Sequence, residues 1–289
     1  MRQLKNRLEY IALCLLFVAF RVLPLDMASS VGGFMARSIG PFLRAHKTAI
    51  ANLSAIYPDM DKAKKRKLLM DMWDNLGRVA AELPHLPGKN LFGRVKVHGL
   101  ENLPKQGEKV LFFSGHIGNW ELLSPTAFRN GTVLSGIYRK ANNPLVDAMI
   151  TRIRATQVTD LFPKGPSGAV KLVRAIKAGH SIAMLIDQKM NDGISVPFFK
   201  KPAMTAPAIA EFALRYNMPI VPARVIRTQG CHFAATIYPP LVIEKTGDQQ
   251  KDVLAIMTQI NQTVESWIRE HPEQWFWVHK RWPKDVIAA

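Results

Sequence analysis

His116 and Glu121 stand five positions apart in the stretch Ser114–Glu121, with Gly115, Gly118 and Asn119 beside or between them. Imidazole and carboxylate form the pair that general-base chemistry uses. A carboxylate on one ring nitrogen fixes the tautomer and raises the basicity of the other. In one regular helix this spacing would set the two side chains about 140° apart. With His116 in a turn and Glu121 one turn into a following helix, the carboxylate reaches back to the imidazole. Gly115 and Gly118 allow close approach of a substrate. They also leave bare backbone N–H groups, at Ile117 and Gly118, where a developing oxyanion can be held.

The apolar run Val110–Phe113 predicts a strand that delivers His116 at its carboxyl end, and Ile117–Leu123 predicts the first turns of a helix. Ligands of open α/β sheets bind beyond the carboxyl ends of strands. Strand-like and helix-like periodicities alternate around this unit. Residues 94–99, 132–138, 158–162, 181–186, 220–226 and 232–238 read as strands, and 61–83, 144–154, 167–178, 206–216 and 251–270 as helices. The pattern predicts an α/β fold with a mixed, largely parallel central sheet flanked by helices. Two further strand ends carry polar groups. After Tyr138 come Arg139, a planar fork suited to phosphate or carboxylate, and Lys140, a point charge. After Leu185 come Asp187 and Gln188. An ionised Asp187 at the end of an apolar strand needs a partner, and Arg139 is the one expected.

The chain has 289 residues and a net charge of +17, which implies anionic partners: a bilayer surface, an acidic protein or nucleic acid. The basic residues are scattered and match no nucleic-acid-binding motif, so nucleic acid is not expected. Two cysteines, Cys14 and Cys231, exclude a disulfide framework. Without a Cys/His cluster at ligand spacing, no metal site is expected. Arg2, Lys5 and Arg7 precede the apolar run Ile11–Phe20, and Arg21 follows it directly. Counted from Leu8 to Leu25 with Arg21 snorkelling, the run predicts an uncleaved membrane-anchor helix over residues 1–26, spanning or interfacial, ahead of a catalytic domain over 27–289. Residues 31–43 read as a second helix, surface-seeking or packed on the domain, broken at Pro41.

The box from His116 to Glu121, a histidine and an acid separated by four residues, resembles that of the glycerolipid acyltransferase superfamily. Its Gly118-Asn-Trp-Glu121 ending resembles more narrowly the late acyltransferases of lipid A biosynthesis. Tyr138-Arg139 with Asn142-Asn-Pro144, Asp187-Gln188, residues 193–199 with Thr205-Ala-Pro207, Pro219–Ala223 and the ending Pro272–Trp282 resemble further blocks of that family, in order. The resemblance spans about Arg7 to Trp282. It implies a glycerolipid-acyltransferase-like fold and O-acyl transfer from an acyl-acyl carrier protein to a hydroxyl of a Kdo-bearing lipid A precursor. In that reading His116 is the base, assisted by Glu121. Gly118, Asn119, Arg139, Lys140, Asp187 and Gln188 bind substrate, and no cofactor is needed beyond the acyl-carrier co-substrate. It also implies residence at a bacterial inner membrane with the catalytic domain on the cytoplasmic side. The tryptophans of the ending are expected in the core.

Three alternatives follow from the same residues. A phospholipid or other glycolipid could be the acceptor. A metal-dependent hydrolase could use His116 and Glu121 with His180 or His232, although no His-Glu-x-x-His pair is present. A non-enzymatic lipid-binding protein would explain the charge and the N-terminus without chemistry.

Overall fold

A computed structural model describes residues 2–283 together with Val286. Residue 1 and residues 284–285 and 287–289, the outer ends of the two expected segments, lie outside the described residues. Four helices come first: α1 (Arg2–Val22), α2 (Leu25–Ile39), α3 (Arg44–Ile56) and α4 (Lys62–Glu82). Asp61 starts α4 by accepting the Lys64 N–H at 2.9 Å. Leu68, Leu69, Met72, Trp73 and Val79 then bury one face of it. The chain continues through β1 (Val95–His98), β2 (Leu111–Ser114), α5 (Leu123–Arg129), β3 (Leu134–Tyr138), α6 (Pro144–Arg154), β4 (Asp160–Pro163) and α7 (Pro166–Lys177). It ends with β5 (Ser181–Leu185), β6 (Ile194–Phe198), β7 (Lys201–Thr205), α8 (Ala208–Tyr216), β8 (Ile220–Gln229), β9 (His232–Ile237) and α9 (Gln249–Glu270).

Seven strands form one sheet in the order β1-β9-β8-β2-β5-β3-β4, and β6 and β7 form a separate hairpin. Every neighbouring pair in the large sheet is parallel except β8 and β9. The expected α/β architecture is therefore present, with β2 and β5 side by side at its centre. β2 is buried at all four positions, as a strand covered on both faces must be. On one face Leu111, Phe113, Ile182, Met184 and Ile220 pack against Leu172, Ile209, Ile260 and Val264. On the other, Phe112, Leu134, Val158 and Val221 pack with Ala127 of α5.

α2 lies against α4 at backbone contact. A Cβ on Gly77 would stand 2.2 Å from the Gly32 carbonyl oxygen, so neither glycine tolerates a side chain. α1 turns Phe17 and Phe20 inward, and the His85 ring bonds to the Phe20 carbonyl at 2.8 Å. Its other side exposes Leu4, Leu8, Ile11, Leu15, Val18 and Val22, one stripe at helical spacing. α2 and the turn after it expose Phe34, Ile39 and Phe42. Among the described residues no helix is long and apolar enough to cross a membrane. Trp275, Trp277 and Trp282 lie in the core.

Candidate active site

The parallel register of β2 on β5 sets the central pair of the site. Ser114 pairs with Leu185, and the Ile186 N–H donates to the Ser114 carbonyl at 3.0 Å. Carried two residues on, the same register brings His116 beside Asp187, both on one side of the sheet. The His116 Nδ1–H donates to Asp187 Oδ1 at 2.7 Å, and the His116 backbone N–H donates to Oδ2 at 2.7 Å. The Trp275 indole N–H adds a third bond to Oδ2 at 2.8 Å. Burial alone would raise the Asp187 carboxyl. Attraction to His116 and these hydrogen bonds outweigh it and hold the group down at about 2. The ring of His116 sits between Trp120 and Phe276, with centroids 5.2 and 5.8 Å away. Its Nε2 side meets the Gln188 amide at 3.3 Å. Asp187 is therefore partnered by His116 and Trp275 rather than by the expected Arg139.

The carboxylate on the imidazole is Asp187, not Glu121. The expected helix from Ile117 is instead an extended bridge from Ile117 to Trp275, a left-handed Gly118 (φ +59°) and a short turn over Trp120–Leu122, before α5 begins. This path points Glu121 toward α6, where the Arg154 guanidinium donates to Oε2 at 2.8 Å and also bonds Oε1. Burial opposes the charge of Arg154, but the Glu121 carboxylate outweighs it and raises the guanidinium above its ordinary value. The expected oxyanion role for the Gly118 N–H is also overturned, because that N–H donates to the Gln274 carbonyl at 3.1 Å. Gly118 is required by space as well: a Cβ there would stand 1.8 Å from the Val225 carbonyl oxygen.

Asn119 is buried and does not line the cavity in front of the loop. Its Oδ1 caps the turn by accepting the Glu121 N–H at 3.2 Å, and its Nδ2–H donates to Glu82 Oε2 at 2.7 Å. Glu82 is fully buried and also accepts from Ser29 Oγ at 2.7 Å and from Arg227 Nη1 and Nη2 at 2.6 and 3.0 Å. Arg227 Nε in turn donates to Asn75, whose amide holds the Gly118 carbonyl at 3.0 Å. This buried block, invisible in the sequence because its members lie far apart, supports the loop from behind.

In front of the loop lies a cavity of about 920 Å³, at the upper end of the usual 300–1,000 Å³ for small-molecule pockets. His116, Trp120, Glu121, Arg139, Arg154, Gln188, Phe276 and His279 line its polar end, and the remainder is mostly apolar. Of the expected substrate-binding residues, Arg139 and Gln188 line this space. Gly118, Asn119, Lys140 and Asp187 do not. Sequence reading missed Arg154 and His279. His279 Nε2 accepts the Lys189 N–H at 2.9 Å, and burial lowers its imidazole to about 4. Among the described residues no group of three or more His, Cys, Asp and Glu could hold a metal ion. His180 lies elsewhere, on Ser135 Oγ at 2.9 Å, and His232 is exposed.

The fold and site define an α/β protein with a histidine–aspartate pair at the polar end of a large, mostly apolar cavity. The sequence profile of the bacterial lipid A biosynthesis acyltransferases matches residues 1–284, and the chain belongs to that family. It is 23% identical over 247 residues to the lipid A biosynthesis myristoyltransferase of Escherichia coli (strain K12), covering 82% of this chain and 74% of that protein. With the lipid A biosynthesis lauroyltransferase of the same organism it shares 25% identity over 252 residues, 82% of this chain and 79% of that one. The crystal structure of the 1-acyl-sn-glycerophosphate acyltransferase from Thermotoga maritima aligns over 83% of this chain and 97% of that one, with 15% identity and a TM-score of 0.36.

Proposed function

We propose that this acyltransferase moves a fatty acyl chain from an acyl-acyl carrier protein to a hydroxyl of a Kdo-bearing lipid A precursor, with His116 as general base. One observation carries the reading. His116 Nδ1 is bound to a buried, ionised Asp187, so the lone pair sits on Nε2, the side that faces the cavity. The acceptor hydroxyl loses its proton to Nε2 as its oxygen attacks the thioester carbonyl. The ester C–O bond forms, the C–S bond breaks, and the imidazolium returns the proton to the departing thiolate. Asp187 keeps the ring in this tautomer and stabilises its cationic form. Glu121 acts through Arg154, which it holds at the cavity wall, and Arg139 offers a second cation for a phosphate or the thioester oxygen. A net charge of +17 would steer an acidic carrier to this surface.

The exposed stripe of α1, continued by Phe34, Ile39 and Phe42, supports an anchor that lies in the plane of an anionic bilayer, with Arg2, Lys5, Arg7 and Arg21 at headgroup level. The inner membrane, with the catalytic domain on its cytoplasmic side, is the corresponding location.

The test incubates detergent-solubilised protein with labelled Kdo-lipid A precursor and a panel of acyl-carrier thioesters, reading lipid mass. One added chain, lost by about 10²–10⁴-fold in His116→Ala, is expected. Transfer only to phospholipid or to other glycolipid acceptors would replace the acceptor. No transfer to any lipid hydroxyl by folded protein would end the acyltransferase reading.

A further inference from the structure

Three consecutive residues after β5 address two imidazoles. Asp187 accepts the His116 Nδ1–H at 2.7 Å, the Gln188 amide stands 3.3 Å from His116 Nε2, and the Lys189 backbone N–H donates to His279 Nε2 at 2.9 Å. An ionised carboxylate only accepts and a backbone N–H only donates, so the two rings hold opposite tautomers. His116 keeps its lone pair on Nε2. His279 spends its lone pair on Lys189 and carries its proton on Nδ1, and no group among the described residues accepts that proton. Both rings line the polar end of the cavity, close enough for the charge of His116 to be felt at His279. Burial, then the charges of His116, Arg281 and Arg139, outweigh the pull of Asp187 and keep the His279 imidazole neutral down to about 4.

Resting on the acyltransferase reading above, we propose that His279 is a second catalytic residue, whose Nδ1–H donates to the thioester carbonyl oxygen as that oxygen becomes an oxyanion. Attack by the lipid hydroxyl needs an acceptor for its proton and a donor for the charge that develops on the carbonyl. The pair of rings supplies one of each. Other N–H groups around the loop are engaged. The Gly118 N–H bonds the Gln274 carbonyl, and the Trp120 indole with Arg154 Nε and Nη2 bonds Glu121. Arg139 is exposed and is left for a phosphate. No proton leaves His279; its hydrogen bond strengthens as charge builds on the carbonyl oxygen and relaxes when the C–S bond breaks. A neutral donor suits this place, because His116 turns cationic in the same step and a second imidazolium beside it would oppose that charge. Neutral imidazole is a known electrophile at a carbonyl. The backbone that carries the ring is fixed in advance. Asn52, fully buried, donates to the Trp277 and His279 carbonyls at 2.8 and 2.6 Å, and the Arg281 N–H donates to the His279 carbonyl at 2.9 Å. A donor set before the reaction costs no reorganisation during it.

The Nδ1 donor and the Lys189 contact can be separated by substitution. His279→Gln keeps an oxygen for the Lys189 N–H and removes the donor, so kcat for acyl transfer should fall about 10²–10³-fold with KM for the lipid little changed. His279→Asn brings an amide N–H nearer the position of Nδ1 and should retain at least about tenfold more of kcat than the glutamine variant. The decisive readout is the infrared stretch of a ¹³C-labelled thioester carbonyl, bound as its acyl-carrier thioester to protein in which His116→Ala blocks turnover. Adding His279→Gln should move that band to higher frequency, since a carbonyl that loses a donor regains double-bond character. His279→Leu removes the donor by another route and repeats the measurement, so one misfolded variant does not decide the outcome. A band that stays in place, or a His279→Gln enzyme within about fivefold of wild type, overturns the assignment while acyl transfer stands. Absence of transfer by wild-type protein to any lipid hydroxyl overturns both.

Discussion

Asp187→Asn is the substitution that most directly tests the site. The amide has the carboxylate's shape, but only one of its two orientations fits. Oδ2 of Asp187 accepts two N–H groups, from the His116 backbone at 2.7 Å and from the Trp275 indole at 2.8 Å. Two donors cannot face a third, so the asparagine must put its oxygen there and turn its NH₂ to His116 Nδ1. The amide then donates to Nδ1, which must accept, and the ring proton moves to Nε2. The lone pair facing the cavity disappears, and the Gln188 amide 3.3 Å away must turn its oxygen toward the new N–H. A wrong tautomer costs about 10⁴ in kcat where it has been isolated in serine-protease triads, so kcat here should fall about 10³–10⁴-fold with KM for the lipid little changed. The assay is initial-rate acyl transfer by lipid mass, with the ¹⁵N shifts of the His116 ring as an independent report of the tautomer. Combining Asp187→Asn with His116→Ala should add little, because the two residues act as one unit. The reasoning fails if Asp187→Asn stays within about tenfold of wild type, or if its imidazole keeps the proton on Nδ1.

Glu82→Gln removes the charge that pairs with Arg227 in a fully buried place, and urea unfolding should show a loss of about 3–5 kcal/mol. Arg227→Met should lose a similar amount, and the double variant less than the sum of the two. His279 is neutral when folded down to about 4. As pH falls from its ordinary pKa toward 4, the unfolded chain gains a proton that the folded one refuses. Stability is thus unpenalised above that window and falls within it, by about 1–2 kcal/mol from about pH 7 to about pH 5 after allowing for partial exposure. His279→Gln, which keeps an acceptor for the Lys189 N–H, should flatten that slope in unfolding curves. Leu8→Glu combined with Leu15→Glu should abolish co-sedimentation with anionic vesicles while turnover on a detergent-dispersed acceptor persists. Unchanged sedimentation would refute the in-plane docking of α1.

Periodicity alone located β2, α4, α9 and most of the parallel strands, because each buries an apolar face whose spacing is written locally. It also put His116 at a strand end. The partner of His116 was not legible in the same way. Asp187 is 71 residues away, and only the adjacency of β2 and β5 brings the two together. A strand order that runs β8-β2-β5-β3 is set by long-range packing, not by local pattern. The lone acid at the end of β5 was visible as a group in need of a partner, and Arg139 was the wrong choice. The helix expected at Ile117 fails for a local reason, since Gly118 in the left-handed region breaks it and Asn119 caps a new turn. The β6–β7 hairpin lacked any turn signal. Phe199 and Lys200 both adopt positive φ without Gly or Asn, held by the Glu265 carboxylate on the Phe199 N–H at 2.6 Å.

Glu82 joins two parts of the molecule that would otherwise answer to different surroundings. Through Ser29 it grips α2, and through Asn119 it fixes the turn that carries Glu121. α2 is seated on α4 by glycines whose contact has no room to adjust. A chain trimmed of its first two helices for easier handling should therefore keep its sheet and cavity yet lose definition at the Asn119 turn. A detergent harsh enough to prise α2 from α4 should act likewise. Poor turnover in such a preparation would report how the enzyme was extracted before it reported anything about its substrate.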